Sequence, residues 1–576
     1  MEAQAVKAIA IVGARLNSSR LPGKHLLDLA GAPMITRIFE RLDQVPQLHA
    51  SILATTADAI NAELVDWAQQ QGRHVLAYEG DVDDLMGRVD AVVQAWKPDI
   101  IVYICGDCPL IEPSFISRAV SAMALQPEAG YVEVETEAEG TLIHQGIDIY
   151  SFAFWRKVLA RSVTPSHREH VGSARFPLLQ EQACVRLREP TVFFTSPRRT
   201  SVDTPRDYHF MASIYRRWYQ DHSSETIVSL SWAVQLLNDE PELAAINASV
   251  QQKQLGQVSE HVILVAAAGK QEGLGHLRRL LVLAATLTDQ HSAGVRLLIQ
   301  GEQLSLDQLD LVPHRFCSNI SESLPQMVQQ KPPRAIVFDM PKTHITERER
   351  PLLEQLAQKT RLVSVDFAIP FPELITINHV PCFYLDPALR QENIHYGWDH
   401  YLLDVQTSDA RSSREAVLVL TGGSDVHKMG DMWPRLLEQH IPTEVPIIWV
   451  QGPYAAEPQI PADSERCWTH HRAPSDMHLL MRQARCVLTL YGVSLFECLA
   501  HGLPTVTWAP GRSEEDGEMR ALDEAAVTRR AKDPTEAVTL LVQLLEDRTG
   551  QQQLSANAKA HFTGEGPRLL AKAALT

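Results

Sequence analysis

The stretch Gly13-Ala14-Arg15-Leu16-Asn17-Ser18-Ser19-Arg20-Leu21-Pro22-Gly23-Lys24 gathers three cations, Arg15, Arg20 and Lys24, on one loop. Small residues such as Ala14, Ser18 and Gly23 let backbone N–H groups approach an anion, and a triphosphate needs both those amides and the charge. The loop follows the apolar run Ala8–Val12, at the carboxyl end of a predicted strand, where open α/β sheets bind ligands. The same residues also suit a solvated basic loop. Two later acids bear on the choice. The apolar run 100–104 leads into Cys105-Gly106-Asp107-Cys108-Pro109, and Thr200-Ser201-Val202-Asp203-Thr204-Pro205 supplies a second carboxylate. An Asp at a strand end is placed to hold Mg²⁺ against phosphate oxygens, which makes Asp107 and Asp203 candidates for one metal site. Each is equally an ordinary helix N-cap.

A second set lies further along. The predicted strand 261–266 opens into Gly269-Lys270-Gln271-Glu272-Gly273-Leu274-Gly275-His276, followed by an apolar helix. A glycine-rich turn onto a helix N-terminus, here at Gly275, favours an anion. A histidine there is favoured in its neutral form, which suits a general base; it also serves as a cap or a packing residue. Thr421-Gly422-Gly423-Ser424-Asp425 is another strand-to-helix turn shaped for phosphate. In Tyr491-Gly492-Val493-Ser494-Leu495-Phe496-Glu497, Gly492 and Ser494 can present N–H and hydroxyl groups to a diphosphate, and Glu497 can accept from ribose hydroxyls. Glu497 also fits as a first-turn carboxylate stabilised by the helix dipole.

Short β-branched runs alternate with amphipathic stretches along most of the chain, which predicts an α/β fold with mainly parallel sheets covered by helices. In the first half the strands fall at Ala8–Val12, Ser51–Thr55, His74–Tyr78 and Ile100–Ile104. A helix over Pro33–Val45 sets Ile35, Ile38 and Leu42 on one face. In the second half they fall at His261–Ala266, Val295–Ile299, Arg334–Phe338, Arg361–Val365, Ala416–Leu420, Pro446–Val450, Cys486–Leu490 and Pro504–Trp508. The polar, Gln-rich stretch from Ala248 to Glu260 reads as a linker at 251–260, with a weaker break at Gln406–Glu415. The predicted domains are therefore 1–250, 261–410 and 411–576.

The 576 residues suit several domains, and a 45% hydrophobic, 21% charged balance excludes wholesale disorder, collagen or coiled coil. A net charge of −17 disfavours nucleic acid as a partner by bulk electrostatics, while leaving room for a local basic cleft around a small phosphorylated substrate. No apolar run is long enough to span a bilayer, and Met1–Ala5 lacks the basic stretch of a secretory signal, so no membrane association is expected. Eight scattered cysteines fit a reducing, cytoplasmic setting. Cys105 and Cys108 form a CxxC, but no second ligand pair stands at zinc-site spacing. The acidic run Glu514-Glu515-Asp516 reads as a solvated turn.

ARLNSSRLPGK, ATTAD (54–58), DVDDLMGR (81–88), GDCPLIEP (106–113), GIDIYSF (146–152), REHV (168–171), SVDTPRD (201–207) and AAINASVQQK (244–253) occur in that order. Together they resemble the cytidylyltransferases of the spore-coat-polysaccharide type, relatives of enzymes that make CMP-activated Kdo and sialic acids. The resemblance implies a Rossmann-like nucleotidyltransferase domain that transfers CMP from CTP to a sugar acid with loss of pyrophosphate. It places Arg15, Ser18, Arg20 and Lys24 on the CTP phosphates, Asp107 and Asp203 on Mg²⁺, and Glu169 and His170 on the acceptor side. A homodimer is implied by analogy with relatives alone.

GLGHLRRLLVLA (273–284), IVFDMP (336–341), LVSVDF (362–367), LTGGSD (420–425) and YGVSLFECLAHGLP (491–504) resemble the UDP-sugar hydrolases of the pseudaminic acid pathway, which have a two-lobed glycosyltransferase-B-like fold. This resemblance implies that His276 activates the water that attacks the anomeric carbon. It also implies that Gly275, Gly422, Gly423, Ser424, Gly492, Ser494 and Glu497 serve the bound nucleotide-sugar. One departure is plain: the family's Arg-x-Asp signature after the first strand is replaced by Val265-Ala266-Ala267. The combined expectation is a bifunctional enzyme of nonulosonic acid biosynthesis. A glycosyltransferase or non-hydrolytic binder in the second half is the alternative, and a scaffold with both sites idle is a third.

Overall fold

A computed structural model describes residues 6–135, 140–195, 199–253, 260–269, 272–304, 306–404, 414–474, 477–513 and 516–576. It divides the chain into two compact units, Met1–Ser259 and Glu260–Thr576.

The first unit is built on a seven-stranded sheet. Its order is His74–Tyr78, Leu48–Thr56, Ala8–Gly13, Ile100–Cys105, Ile147–Ser151, Tyr131–Glu135, Cys184–Arg188. The first strand pairs in parallel with the second on one side and the fourth on the other, so the winding direction reverses beside it. Ile147–Ser151 runs antiparallel to both of its neighbours, and the sheet is otherwise parallel. The helix Met34–Leu42 is shorter than the predicted stretch, with Pro33 at its N-cap. It buries Ile35, Ile38, Phe39 and Leu42, an i, i+3, i+4, i+7 stripe facing the sheet core.

The second unit holds two separate all-parallel sheets. One is ordered His314–Cys317, Gly294–Gln300, His261–Ala267, Ala335–Asp339, Arg361–Val365, Ile377–Val380, Ile394–Tyr396. The other is ordered Trp468–Arg472, Ile447–Gln451, Ala416–Leu420, Ala484–Leu490, Thr505–Trp508, Arg529–Ala531. Both follow the doubly wound order in which the third, second and first strands stand on one side of the switch and the fourth, fifth and sixth on the other. Helices cover both faces, as buried parallel strands require.

All twelve predicted strands are present, most within a residue or two of the predicted bounds. Strands with polar or alternating sequences were not predicted: Tyr131–Glu135, Ile147–Ser151, Cys184–Arg188, His314–Cys317 and Trp468–Arg472. Val265, Ala266 and Ala267 lie inside the strand His261–Ala267, not after it, and are fully buried. Most of the predicted linker (254–259), most of the weaker break (405–413), and Glu514 and Glu515 fall outside the described residues. Asp516 caps the helix Gly517–Ala525 and pairs with Arg512 at 2.6 Å. Among the described residues no helix is long and apolar enough to cross a membrane.

His379, in the strand Ile377–Val380, is buried and donates from Nε2–H to the His400 carbonyl at 2.7 Å. Burial pushes its pKa down to about 3. An unfolded chain carries an ordinary histidine near 6.5, so below that pH the unfolded state takes up a proton that the folded state refuses. This contribution is fully present above pH 6.5 and is lost on acidification toward pH 3. His379→Gln should therefore reduce the loss of stability between pH 7 and pH 5 by about 2 kcal/mol, measured by denaturant unfolding at the two pH values.

Candidate functional site

In the first unit the chain leaves the strand Ala8–Gly13, loops through residues 14–22 and returns as the 3₁₀ turn Lys24–Leu26. The loop is closed by Gly23 N–H donating to Leu16 O at 2.8 Å and is pinned by Leu16 N–H donating to the buried Asn61 side chain at 2.7 Å. Gly23 has φ +71°, a left-handed conformation that a side chain would strain, and this turn aims Lys24 inward. Lys24 Nζ lies 3.2 Å from Asp107 Oδ2 and 2.7 Å from Asp203 Oδ1. Burial alone would lower the pKa of this ammonium; Asp107 and Asp203 outweigh it and hold it above the usual lysine value.

Two backbone devices bring the separated aspartates together. Val202 N–H donates to Asp107 O at 2.8 Å, joining the SVD segment to the end of the fourth strand. Thr204 then caps the helix Pro205–Asp221 in a capping box with Asp207, with proline at the first turn. Asp203 thus sits just outside a helix N-terminus, ion-paired with Lys24, with Arg20 at 3.2 Å and with Arg199. Its carboxyl is held far below the ordinary range because Lys24, Arg20 and Arg199 overcome the cost of burial. Arg199 also grips Asp207, and Asn247 ties the pair by donating to Arg199 O at 3.0 Å and to Asp207 Oδ1 at 2.9 Å. Sequence reasoning missed Arg199 and Asn247; an arginine four residues before Asp203 was the available signal.

At Gly106 a Cβ would stand 2.5 Å from Gly13 O, so the strand ends touch there only because the residue is glycine. His25, also missed, takes up the adjoining space. Its Nδ1 lies 2.8 Å from Gly106 O, and burial together with Lys24 pushes its pKa down to about 3. Ser18 Oγ accepts from Leu21 N–H at 3.4 Å within the loop. Among the described residues Arg20 Nη1 is buried without a hydrogen-bond partner, while Arg20 Nη2 pairs with Asp203. Ala14 and Arg15 make contacts that their own sequence did not announce. The Ala14 amide donates to Ala54 O at 3.2 Å, so strand pairing uses the N–H that was expected to face phosphate. Arg15, expected on the phosphates, donates to Val82 O at 3.0 Å and Asp83 Oδ1 at 2.6 Å. Glu169 stands 3.7 Å from Lys253, and the adjoining His170 is exposed. Cys105 and Cys108 are free thiols.

Among the described residues no three or more His, Cys, Asp or Glu side chains group as metal ligands. Asp107 and Asp203 nevertheless converge on one cation-sized point, the position of Lys24 Nζ. One or two carboxylates completed by substrate phosphate oxygens and water is the usual Mg²⁺ set. The pair therefore fits a magnesium ion carried in with a nucleotide.

In the second unit, His276 stands in the first turn of the helix Gly275–His291, after the strand His261–Ala267. Asp339 ends the adjacent strand, in register with Ala266, and is wholly buried. His276 Nδ1 lies 2.7 Å from Asp339 Oδ1. Arg279, one turn along the helix, donates to both Asp339 oxygens at 2.8 and 2.6 Å. A neutral His276 must carry its hydrogen on Nδ1 to face that carboxylate, which leaves Nε2 as an acceptor. Sequence reasoning gave no role to Asp339 or Arg279; an acid directly after the apolar run 335–338 was the same signal that marked Asp107. In the other lobe Gly422, Gly423 and Ser424 follow the strand Ala416–Leu420, and Gly492, Ser494 and Glu497 follow Ala484–Leu490. A Cβ on Gly275 would meet Val493 at 3.8 Å, so the heads of the helices Gly275–His291 and Val493–Ala500 adjoin. Glu497 is half-buried, and burial raises its pKa against the opposing pull of Arg278 and His478.

Residues 9–209 match the cytidylyltransferase family model. Over 122 residues the chain is 33% identical to 3-deoxy-manno-octulosonate cytidylyltransferase of Trichlorobacter lovleyi, covering 21% of this chain and 47% of that enzyme. The match thus spans less than half of that relative's length. Over 255 residues it is 25% identical to an uncharacterized protein of Methanocaldococcus jannaschii, covering 44% of this chain and all of that one. Among solved structures, S. aureus MnaA with UDP aligns at 13% identity and a TM-score of 0.39, over 54% of this chain and 94% of that one.

Asp339→Asn would leave the buried Arg279 without a counter-charge and remove the partner that holds His276. Breaking such a buried pair costs about 3–5 kcal/mol. The second unit should lose stability by that order in denaturant unfolding, while the first unit's transition stays where it was.

Proposed function

We propose that the chain is a bifunctional nucleotide-sugar enzyme, with the first unit transferring CMP from CTP to a sugar acid. The observation that carries this is the Lys24–Asp107–Asp203 cluster at the point where the strand order reverses. The cytidylyltransferase family match supports it. Arg20 and Lys24 hold and neutralise the phosphates. The acceptor hydroxyl oxygen forms a bond to the α-phosphorus, the bridging bond to the β-phosphate breaks, pyrophosphate leaves, and the hydroxyl proton passes to water. Mg²⁺ held by Asp107 and Asp203 supplies positive charge where phosphate charge accumulates. Positioning and charge stabilisation account for the rest of the rate.

In the second unit, with residues 261–410 and 411–576 as its two lobes, the reading is hydrolysis of a UDP-acetamido-sugar. His276 Nε2 takes a proton from water as the water oxygen attacks the anomeric carbon and UDP departs with its bridging oxygen. Asp339 keeps the ring oriented and stabilises the imidazolium that forms. Gly422, Gly423, Ser424, Gly492, Ser494 and Glu497 hold the UDP. The second reading is a glycosyltransferase or a binder that does not hydrolyse. It is favoured by the fully buried, apolar Val265-Ala266-Ala267, which offer no charged group at that strand end.

Lys24→Ala and Asp203→Asn should each lower pyrophosphate release from CTP by at least about a hundredfold over a panel of ulosonic acids. Unchanged rates in folded variants would remove the first assignment. His276→Ala should abolish UDP release from UDP-acetamido-sugars; release at the wild-type rate would remove the hydrolase.

A further inference from the structure

Asp366 is unusual among the carboxylates of the second unit. It directly follows the strand Arg361–Val365, which pairs in parallel with the strand ending at Asp339. The carboxyl ends of adjacent parallel strands stand about 5 Å apart, so Asp366 belongs to the same edge of the sheet as Asp339 and the His276 turn. Both Asp366 and Phe367 have left-handed backbones, with φ +53° and +57°. Two consecutive non-glycine residues in that region are uncommon and persist where surrounding structure holds them. Here Asp366 N–H donates to His379 O at 3.0 Å, and Lys342 Nζ lies 5.1 Å from the centre of the Phe367 ring.

Asp366 is neither at the surface nor in the core; it is half-buried. Among the described residues its carboxylate has no hydrogen bond and no ion pair, although Arg279, Lys342, Asp339 and His276 all act on it electrostatically. Burial raises its pKa, the mark of a carboxylate short of donors. Arg279 is already spent on Asp339. Lys342, on the loop after Asp339, is exposed and without an ion pair among the described residues.

We infer that Asp366 and Lys342 form the sugar-contacting subsite of the second unit: Asp366 accepts from hydroxyl or amide N–H groups of an acetamido-sugar, and Lys342 donates to its oxygens. This rests on the UDP-sugar reading of that unit. It adds which residues read the sugar as distinct from the UDP, and it makes them neighbours of the base His276.

The test is calorimetric titration of the full chain with UDP, UDP-N-acetylglucosamine and the 4-epimer of that sugar nucleotide. Wild type should bind at least one sugar nucleotide more tightly than UDP. Asp366→Asn keeps the side-chain size and, like Asp, tolerates a left-handed backbone, so it should fold. It should bind UDP as wild type does and lose about tenfold in sugar-nucleotide affinity, the worth of a hydrogen bond to a charged group. Lys342→Gln should show the same split more weakly. Equal losses for UDP and sugar nucleotide would make Asp366 structural and overturn the inference, as would no loss at all. Wild type binding sugar nucleotides no better than UDP would also overturn it. Absence of any UDP binding would instead remove the underlying reading. A preserved sugar-specific loss in a protein that releases no UDP would leave the subsite standing and remove only the hydrolysis.

Discussion

Reversal of strand order is the constraint from which the remaining features follow. When a chain winds three parallel strands one way and then returns to the other side of the first, the loops after the first and fourth strands diverge and leave a crevice that packing cannot fill. The molecule does this three times. In the first unit the crevice is bordered by the basic loop and Asp107. In one sheet of the second unit it is bordered by the His276 turn and Asp339, and in the other by Gly422–Ser424 and Gly492–Glu497. Chemistry-bearing residues far apart in sequence become neighbours because each crevice draws its two walls from two distant loops.

Within the first unit, charge is balanced closely. Arg20, Lys24 and Arg199 face Asp107, Asp203 and Asp207, and the six formal charges cancel. The cluster therefore carries no net positive excess. Under the proposed reading a nucleotide's phosphates are met by directed donors such as Arg20 Nη1, which has no hydrogen-bond partner among the described residues. The second unit uses the opposite economy. A single enclosed carboxylate, Asp339, serves both a histidine and an arginine, so one negative charge fixes the orientation of two functional groups.

The parallel cores could be read from sequence because strands buried on both faces are near-continuous apolar runs; Ala416–Leu420 begins and ends where its apolar residues do. Trp468–Arg472, with two histidines and an arginine, and His314–Cys317 could not be read, because edge strands face solvent and lose that signature. The antiparallel corner around Tyr131–Glu135 alternates buried and exposed residues over only five positions, too few to stand out. Lys24, Asp107 and Asp203 were legible as charges where apolar runs stop. The turning of Arg15 toward Asp83 and the capture of the Ala14 amide by Ala54 were not, since both depend on a neighbouring strand that the loop's own sequence does not contain.

The bond from Val202 to Asp107 sets an order on the life of the chain as it is made. The cationic loop and Asp107 emerge from the ribosome early, while Asp203 and the helix that fixes it come almost a hundred residues later. Until then Lys24 has Asp107 beside it but no second carboxylate opposite. The pocket around Lys24 has no far wall until that segment docks.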